Sequence, residues 1–127
     1  MRIDPEAPAI LVSAKLIGPS GECALEMAFD TGATYIMVPW YVAEKLGYDP
    51  AVSRERVPLM TASTMEVAPL INVESVKVLG LEVNNAKVAV HDLPPKSRVD
   101  GLLGLSFLKH FDTDIHFKKN ILKIKDP

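Results

Sequence analysis

The segment Asp30-Thr31-Gly32-Ala33-Thr34 contains the residue types best suited to chemistry in this chain. A carboxylate can take up and return a proton, and a glycine lets the backbone approach other groups closely. Taken alone, Asp-Thr-Gly is also typical of a turn that ends a strand, because aspartate and glycine are common turn formers. The context favours more than a turn, since an apolar run at residues 22–29 leads to the aspartate and another at residues 35–38 follows it.

A second glycine-containing motif lies further along the chain, at residues 99–108 (Val-Asp-Gly-Leu-Leu-Gly-Leu-Ser-Phe-Leu). Its centre, Leu102-Leu103-Gly104, reads as a buried strand with a tight bend. A short helix is predicted over residues 106–111, with Ser106 as its N-cap.

The elements that must position these motifs are mainly strands, because apolar residues recur with a period of two and β-branched residues are abundant. A helix is predicted over residues 40–46, opened by Pro39 and ended by Gly47. Asn84-Asn85 predicts a bulge or bend. Strands are predicted over residues 8–17, 22–29, 70–79 and 81–91, and a hairpin over residues 57–67. One or two strands are predicted over residues 114–124, with a turn near Lys119-Asn120. With no linker or low-complexity stretch, residues 1–127 form one predicted domain.

Composition narrows the class of protein. Hydrophobic residues make up 48% and charged residues 24%, which is typical of a soluble globular domain. The net charge of −2 argues against a nucleic-acid surface or a polybasic membrane patch. The N-terminus lacks the layout of a signal peptide, so we expect a cytoplasmic protein. Cys23 is the one cysteine; it excludes an internal disulfide and is predicted to be a small buried hydrophobe.

No other constellation in the sequence points to chemistry. His91, His110 and His116 are isolated and lack metal-ligand spacing, so they are predicted to be surface or strand-edge residues. The chain carries no Ser-His-Asp or Cys-His arrangement, no phosphate loop and no dinucleotide fingerprint. We therefore expect neither a metal nor a cofactor.

Together the two motifs resemble the retropepsin family, the retroviral-type aspartic proteases and their cellular and prokaryotic relatives. Asp30-Thr31-Gly32-Ala33 matches the catalytic tetrad of that family, and Leu102-Leu103-Gly104 matches its second signature. The resemblance extends from about residue 9 to residue 124 and is most specific in the order and spacing of the motifs. It implies an all-β, partly closed barrel with one or two short helices, assembled as a homodimer.

The resemblance implies that Asp30 is the single catalytic carboxylate of each subunit. Peptide hydrolysis in this family needs two carboxylates that share one proton across a water. Aspartic proteases are a standard example of two neighbouring carboxylates whose pKa values differ because both cannot ionise at once. A chain with one Asp-Thr-Gly obtains the second carboxylate by twofold symmetry, so the dimer is part of the implied mechanism. The implied partners are a second copy of the chain and a peptide or unfolded protein substrate.

Further roles follow from the same resemblance. The Thr31 hydroxyl should hydrogen-bond to the partner's loop, and the Gly32 N–H should point at the carboxylates. Leu102, Leu103 and Gly104 should pack behind the loop without touching substrate. Ala33 stands where pepsin-like enzymes carry serine, which removes one hydrogen bond to the dyad and implies a somewhat higher working pH.

The hairpin tip Thr61-Ala62-Ser63-Thr64 matches the flap that covers substrate in the family. Viral flaps are rich in glycine, whereas this chain has no glycine between Gly47 and Gly80. That departure keeps a second hypothesis open, in which the fold serves as a catalytically idle dimerisation or peptide-binding module. A third hypothesis is a monomeric β-domain with a chance Asp-Thr-Gly.

Overall fold

The computed structural model describes residues 1–60 and 64–127. The described residues form nine strands, two short α-helices and one turn of 3-10 helix at Pro50–Val52. In chain order the elements are β1 (Leu11–Gly18), β2 (Gly21–Phe29), β3 (Ile36–Val38), α1 (Trp40–Leu46), β4 (Arg56–Met60), β5 (Met65–Val78), β6 (Leu81–Val90), β7 (Gly101–Leu103), α2 (Leu105–Leu108), β8 (Asp112–His116) and β9 (Ile121–Lys125).

Within this part of the chain, six strands close into a barrel in the order β1-β2-β7-β3-β6-β5, and β5 returns to pair with β1. The pairs β2–β7 and β3–β6 are parallel, and the others are antiparallel. Closure leaves few free strand edges in the barrel. The prediction of a mainly β fold with short helices is confirmed.

Strand β5 is longer than the sequence predicted, because the hairpin arm and the following strand are continuous. Its first part pairs with β4, and the paired residues run from Met60 opposite Met65 to Arg56 opposite Pro69. Its second part pairs with β6 from Leu70 onwards. Pro69, which has no N–H to donate, lies where β5 changes partner. One strand therefore carries the barrel wall directly into the β4–β5 hairpin.

The barrel interior is filled by the alternate side chains of each strand. On β1, for example, Val12, Ala14 and Leu16 are buried while the residues between them face outward. Phe107 of α2 is fully buried and packs against Phe111, with ring centroids 5.0 Å apart. Cys23 is buried, in agreement with its prediction as a small core residue.

Strands β8 and β9 form a separate two-stranded sheet that the N-terminus joins. Arg2 forms a bridge to Ile121, and the N–H of Leu122 donates to the carbonyl of Met1 at 2.9 Å. Leu122 is fully buried against the main core. Both ends of the chain are thus tied together on one side of the molecule.

The two helices differ in how well the sequence predicted them. Helix α1 has the predicted bounds, with Pro39 at its N-cap and Gly47 in the left-handed region at φ 101°. Helix α2 begins at Leu105 with Gly104 as its N-cap, so the prediction that Ser106 caps it is wrong. In the part of the chain that the structure describes, no helix is long and apolar enough to cross a bilayer.

The predicted irregularity at Asn84-Asn85 is a bend without an inserted residue. Asn85 has φ 54°, while the pairs Ser75–Asn84 and Val73–Ala86 keep one register on both sides of it. At the bend, the N–H of Glu74 donates to the Tyr48 hydroxyl at 3.0 Å. Burial raises the pKa of this phenol.

Replacing Phe107 by alanine should lower the free energy of unfolding by about 3–5 kcal/mol, because it leaves a large cavity in a closed core. Tyr41→Ala is the matched control, since this helical aromatic is 61% exposed and should change stability by less than about 0.5 kcal/mol. Urea unfolding followed by circular dichroism measures both. Equal losses in the two variants would contradict the placement of Phe107.

Candidate active site

The loop that follows β2 holds Asp30 through backbone and side-chain hydrogen bonds. The Asp30 N–H donates to the carbonyl of Leu103 at 3.1 Å, which ties the loop to β7. The Gly32 N–H donates to Asp30 Oδ1 at 2.9 Å, and the Ala33 N–H donates to the Asp30 carbonyl at 3.2 Å. The carboxylate is therefore oriented by its own turn.

The second motif supports this loop from behind. The Leu105 N–H donates to the carbonyl of Ala33 at 2.8 Å, and the Ser106 N–H donates to that of Thr34 at 2.9 Å. A Cβ at Gly104 would lie 2.6 Å from the Ala33 carbonyl oxygen and 2.3 Å from that of Tyr35. Only glycine allows this approach, so Gly104 sets how closely α2 docks on the loop.

Ser106 connects three parts of the barrel beneath the loop. Its buried hydroxyl accepts the N–H of Ile36 at 2.8 Å and donates to the carbonyl of Lys87 at 2.7 Å. These bonds join α2 to β3 and β6, and they provide a partner for a backbone N–H and a backbone carbonyl in the interior. The sequence predicted that this serine caps a helix, whereas in the structure its hydroxyl connects α2 to two strands.

A cavity of about 690 Å³ opens beside Asp30, a volume in the range of small-molecule and peptide subsites. Its floor is a row of side chains from three neighbouring strands, Leu102, Met37 and Ala89, which are register partners across β7, β3 and β6. Leu103 and Gly101, on the opposite face of β7, are buried. Leu102 was predicted to pack behind the loop, but in the structure it lies on the cavity floor instead.

The β4–β5 hairpin forms another wall of the cavity. Pro58, Leu59, Met60 and Met65 line it. Thr64 is exposed at the start of the second arm, and its hydroxyl lies 3.4 Å from the Met65 carbonyl oxygen. The predicted flap residues Thr61, Ala62 and Ser63 lie outside the described residues.

Loop residues Thr31 and Gly32 are exposed in the single chain, and Asp30 is partly buried. The loop thus stands at the molecular surface, with Asp30, Gly32 and Ala33 contributing to the cavity lining. This placement leaves the carboxylate reachable both from the cavity and from outside the subunit.

Sequence reasoning missed His91 as a site residue, because it looked for metal-ligand spacing and found none. The structure places His91 in the cavity wall at the end of β6, where its Nε2 contacts a Glu66 carboxylate oxygen on β5. These residues are 25 positions apart in the chain. The usable signal was positional, since His91 is the last residue of a predicted strand.

No metal centre accompanies the cavity in residues 1–60 and 64–127, where no group of three or more His, Cys, Asp or Glu side chains is placed to hold an ion. The titratable groups that line the cavity in this part of the chain are Asp30, Tyr35, His91 and Asp92. The chemistry available there is proton transfer by a carboxylate, with the apolar floor beside it.

Comparison with known proteins agrees with this geometry. A sequence profile described as aspartyl protease matches residues 12–107, which is most of the chain. The crystal structure of a retropepsin-like aspartic protease from Rickettsia conorii is similar, with a TM-score of 0.73 and 25% sequence identity over 98% of this chain and 88% of that one. No curated protein sequence matches the chain.

The chain belongs to the aspartyl protease family and has the retropepsin-like fold. The predicted family and fold class are confirmed, and Asp30-Thr31-Gly32-Ala33 and Leu102-Leu103-Gly104 both fall within the matched region. Asp30 lies in the loop where the sequence placed it, next to the cavity.

Ser106→Ala should lower the free energy of unfolding by about 1–3 kcal/mol, because it leaves the Ile36 N–H unpaired in the interior. Ser13→Ala is the control: it deletes the same hydroxyl from an exposed position on β1 and should cost less than about 0.5 kcal/mol. Chemical unfolding of the two variants gives the comparison. A neutral Ser106 variant would mean that its hydroxyl does not hold α2 to the barrel.

Proposed function

We propose that the chain is an aspartic endopeptidase whose active site forms where two copies meet, with Asp30 contributed by each copy. The observation that carries this proposal is the Asp30 carboxylate itself, oriented by the Gly32 N–H at 2.9 Å on the rim of a cavity of about 690 Å³. Family membership supports the same chemistry.

Two copies are required because the reaction needs two carboxylates in different protonation states. One takes a proton from the attacking water, and the other gives a proton to the oxygen of the peptide carbonyl. Two carboxylates about 3 Å apart cannot both ionise, so they hold one proton between them and titrate as a pair. Thr31 and Gly32 are exposed in the single chain, which leaves this loop free to meet its symmetry mate, with the Thr31 hydroxyl reaching the partner's loop.

The other carboxylate in the cavity, Asp92, is a poor candidate for the second group. Its Oδ1 accepts the Trp40 N–H at 3.0 Å, which ties this carboxylate to the start of α1. Twofold pairing instead brings together two carboxylates that are each held by a Gly32 N–H, so the two groups are equivalent by symmetry.

The substrate class that fits the cavity is an extended peptide with an apolar side chain. Leu102, Met37 and Ala89 provide an apolar floor, and Met60 and Met65 provide flexible apolar side chains above it. The β4–β5 hairpin beside the cavity can pair its backbone with a peptide strand, as in β-strand addition. In this proposal the hairpin, with Thr61 to Thr64 at its tip, acts as the flap.

Asp30→Asn should reduce kcat/KM for a fluorogenic peptide by at least about 100-fold, because it removes the general acid–base pair. Asp49→Asn is the matched control, since the Asp49 carboxylate also accepts an N–H two residues on, at 3.2 Å, but lies outside the cavity. The control should keep wild-type activity, and both variants should keep the wild-type mass by light scattering. An active Asp30 variant would reject the proposal.

Mixing subunits tests the shared site directly. Wild type and Asp30→Asn, denatured and refolded together in equal amounts, should retain about one quarter of the wild-type activity, since only dimers with two intact copies are active. A site contained in one chain would retain about half. Peptidase assays across a series of mixing ratios distinguish a quadratic from a linear dependence.

If wild type forms the dimer and cleaves no peptide between about pH 3 and pH 7, the idle dimerisation or peptide-binding module replaces the endopeptidase as the function. Binding of a statine-type inhibitor, measured by calorimetry, separates a formed site from an absent one. A monomer without activity would favour the domain with a chance Asp-Thr-Gly.

A further inference from the structure

The contact between His91 and Glu66 joins the two parts of the molecule that enclose the cavity. Glu66 lies on the β5 arm of the hairpin, opposite Leu59 of β4, and His91 directly follows β6 in the barrel wall. The His91 N–H donates to the Val38 carbonyl at 3.0 Å, so the histidine backbone is fixed to β3. The side-chain contact is therefore a link from a fixed wall to the hairpin arm.

Both ring nitrogens of His91 face hydrogen-bond acceptors. The His91–Glu66 pair must therefore hold one proton more than a neutral imidazole and an ionised carboxylate hold together. His91 Nδ1 lies 2.8 Å from the carbonyl oxygen of Asp92, which only accepts, so Nδ1 carries a hydrogen. Nε2 faces an oxygen of Glu66. If the ring is neutral and the carboxylate ionised, two lone pairs face each other and the contact is repulsive.

With the extra proton the contact becomes a hydrogen bond, which is charge-assisted when the proton is on the imidazole. The proton resides on Nε2, as imidazolium with carboxylate, or on Glu66, as carboxylic acid with neutral imidazole. In either case, removal of one proton abolishes the bond. Histidine side chains ordinarily exchange this proton between about pH 5 and pH 8.

In the described part of the chain, the basic side chain that contacts Glu66 is His91. The basic side chains on the neighbouring strands have other partners. On β4, the Arg56 guanidinium donates to the Ala51 carbonyl at 3.2 Å. On β6, Lys87 pairs with Glu55 at 3.4 Å. The other titratable groups on the cavity wall are Asp30, Tyr35 and Asp92.

We propose that His91 and Glu66 are positioning residues that use one shared proton to hold the β5 arm of the hairpin against the cavity wall. At acidic pH the proton is present and the arm is held. Once a rise in pH removes this proton, the two lone pairs repel and the arm is released. The consequence for the proposed peptidase, on which the kinetic part of this inference rests, is weaker substrate binding at neutral pH than at acidic pH.

Glu66→Gln separates this role from a merely structural one. A glutamine side chain has nearly the shape of glutamate, and its amide N–H can donate to the unprotonated Nε2 of a neutral imidazole. The contact should then persist across the whole pH range. Glu22→Gln is the matched control: Glu22 pairs with Lys15 at 3.2 Å and is 56% exposed, against 45% for Glu66, and it lies on the β1–β2 hairpin.

Methionine methyl groups report on the hairpin without any need for catalysis. Met60 and Met65 line the cavity on the two arms, so their 13C-methyl resonances should follow the position of the hairpin. In wild type and Glu22→Gln, both resonances should shift between about pH 5 and pH 8 together with the ring 15N signals of His91. In Glu66→Gln the methyl resonances should stay constant over that range.

The same three proteins should then be assayed across that pH range. Wild type and Glu22→Gln should show KM rising about tenfold as the shared proton is lost, the effect of one charge-assisted hydrogen bond, whereas Glu66→Gln should show no such rise. His91→Phe should show a high KM at every pH.

Any of three outcomes would overturn the proposal. Methyl resonances that titrate equally in Glu66→Gln and wild type would show that another group moves the hairpin. A wild-type protein that at pH 5 has one protonated ring nitrogen on His91 and an ionised Glu66 carboxylate, by 15N and 13C resonances, would remove the shared proton. Failure of the proposed function is distinguishable, because a protein that cleaves no peptide still gives the resonance titration. Normal cleavage with unmoved resonances overturns the positioning role alone.

Discussion

The close approach of the Asp30 loop to Gly104 is the constraint on which the site depends. Two carbonyls of the loop lie where a side chain at residue 104 would begin. Because this position has no Cβ, the first N–H groups of α2 can donate to the loop, and the loop is held at both ends by β7 and α2. The position of the carboxylate is thus set by backbone contacts, which are stiffer than side-chain contacts.

The continuity of β5 has a mechanical consequence. Its C-terminal half closes the barrel against β1, while its N-terminal half forms an arm of the hairpin beside the cavity. A movement of the hairpin relative to the barrel therefore bends one strand near Pro69, where pairing passes from β4 to β6. Glu66 lies on the hairpin side of Pro69, and its contact with His91 connects that side to the barrel wall. The proposed role of this contact therefore concerns the same movement.

Much of the fold was predictable because its signals are local. The β1–β2 hairpin follows from two apolar runs around Gly18-Pro19-Ser20-Gly21, and α1 follows from Pro39 and Gly47. The sequence also predicted Asp30 at a strand end. It was wrong about Ser106 because a serine near a helix start is a good cap by local rules, whereas here the tertiary structure places its hydroxyl between two strands.

The sequence alone determined the family, the mainly β class and the position of Asp30 at the end of a strand, because each depends on short motifs and on alternation within a strand. Tertiary structure alone decided which side chains surround that residue. Leu102 faces the cavity only because β7 lies between β2 and β3, and His91 meets Glu66 only because β5 and β6 pair across the barrel wall. Such contacts depend on register and closure between distant segments, and no local pattern of residues specifies them.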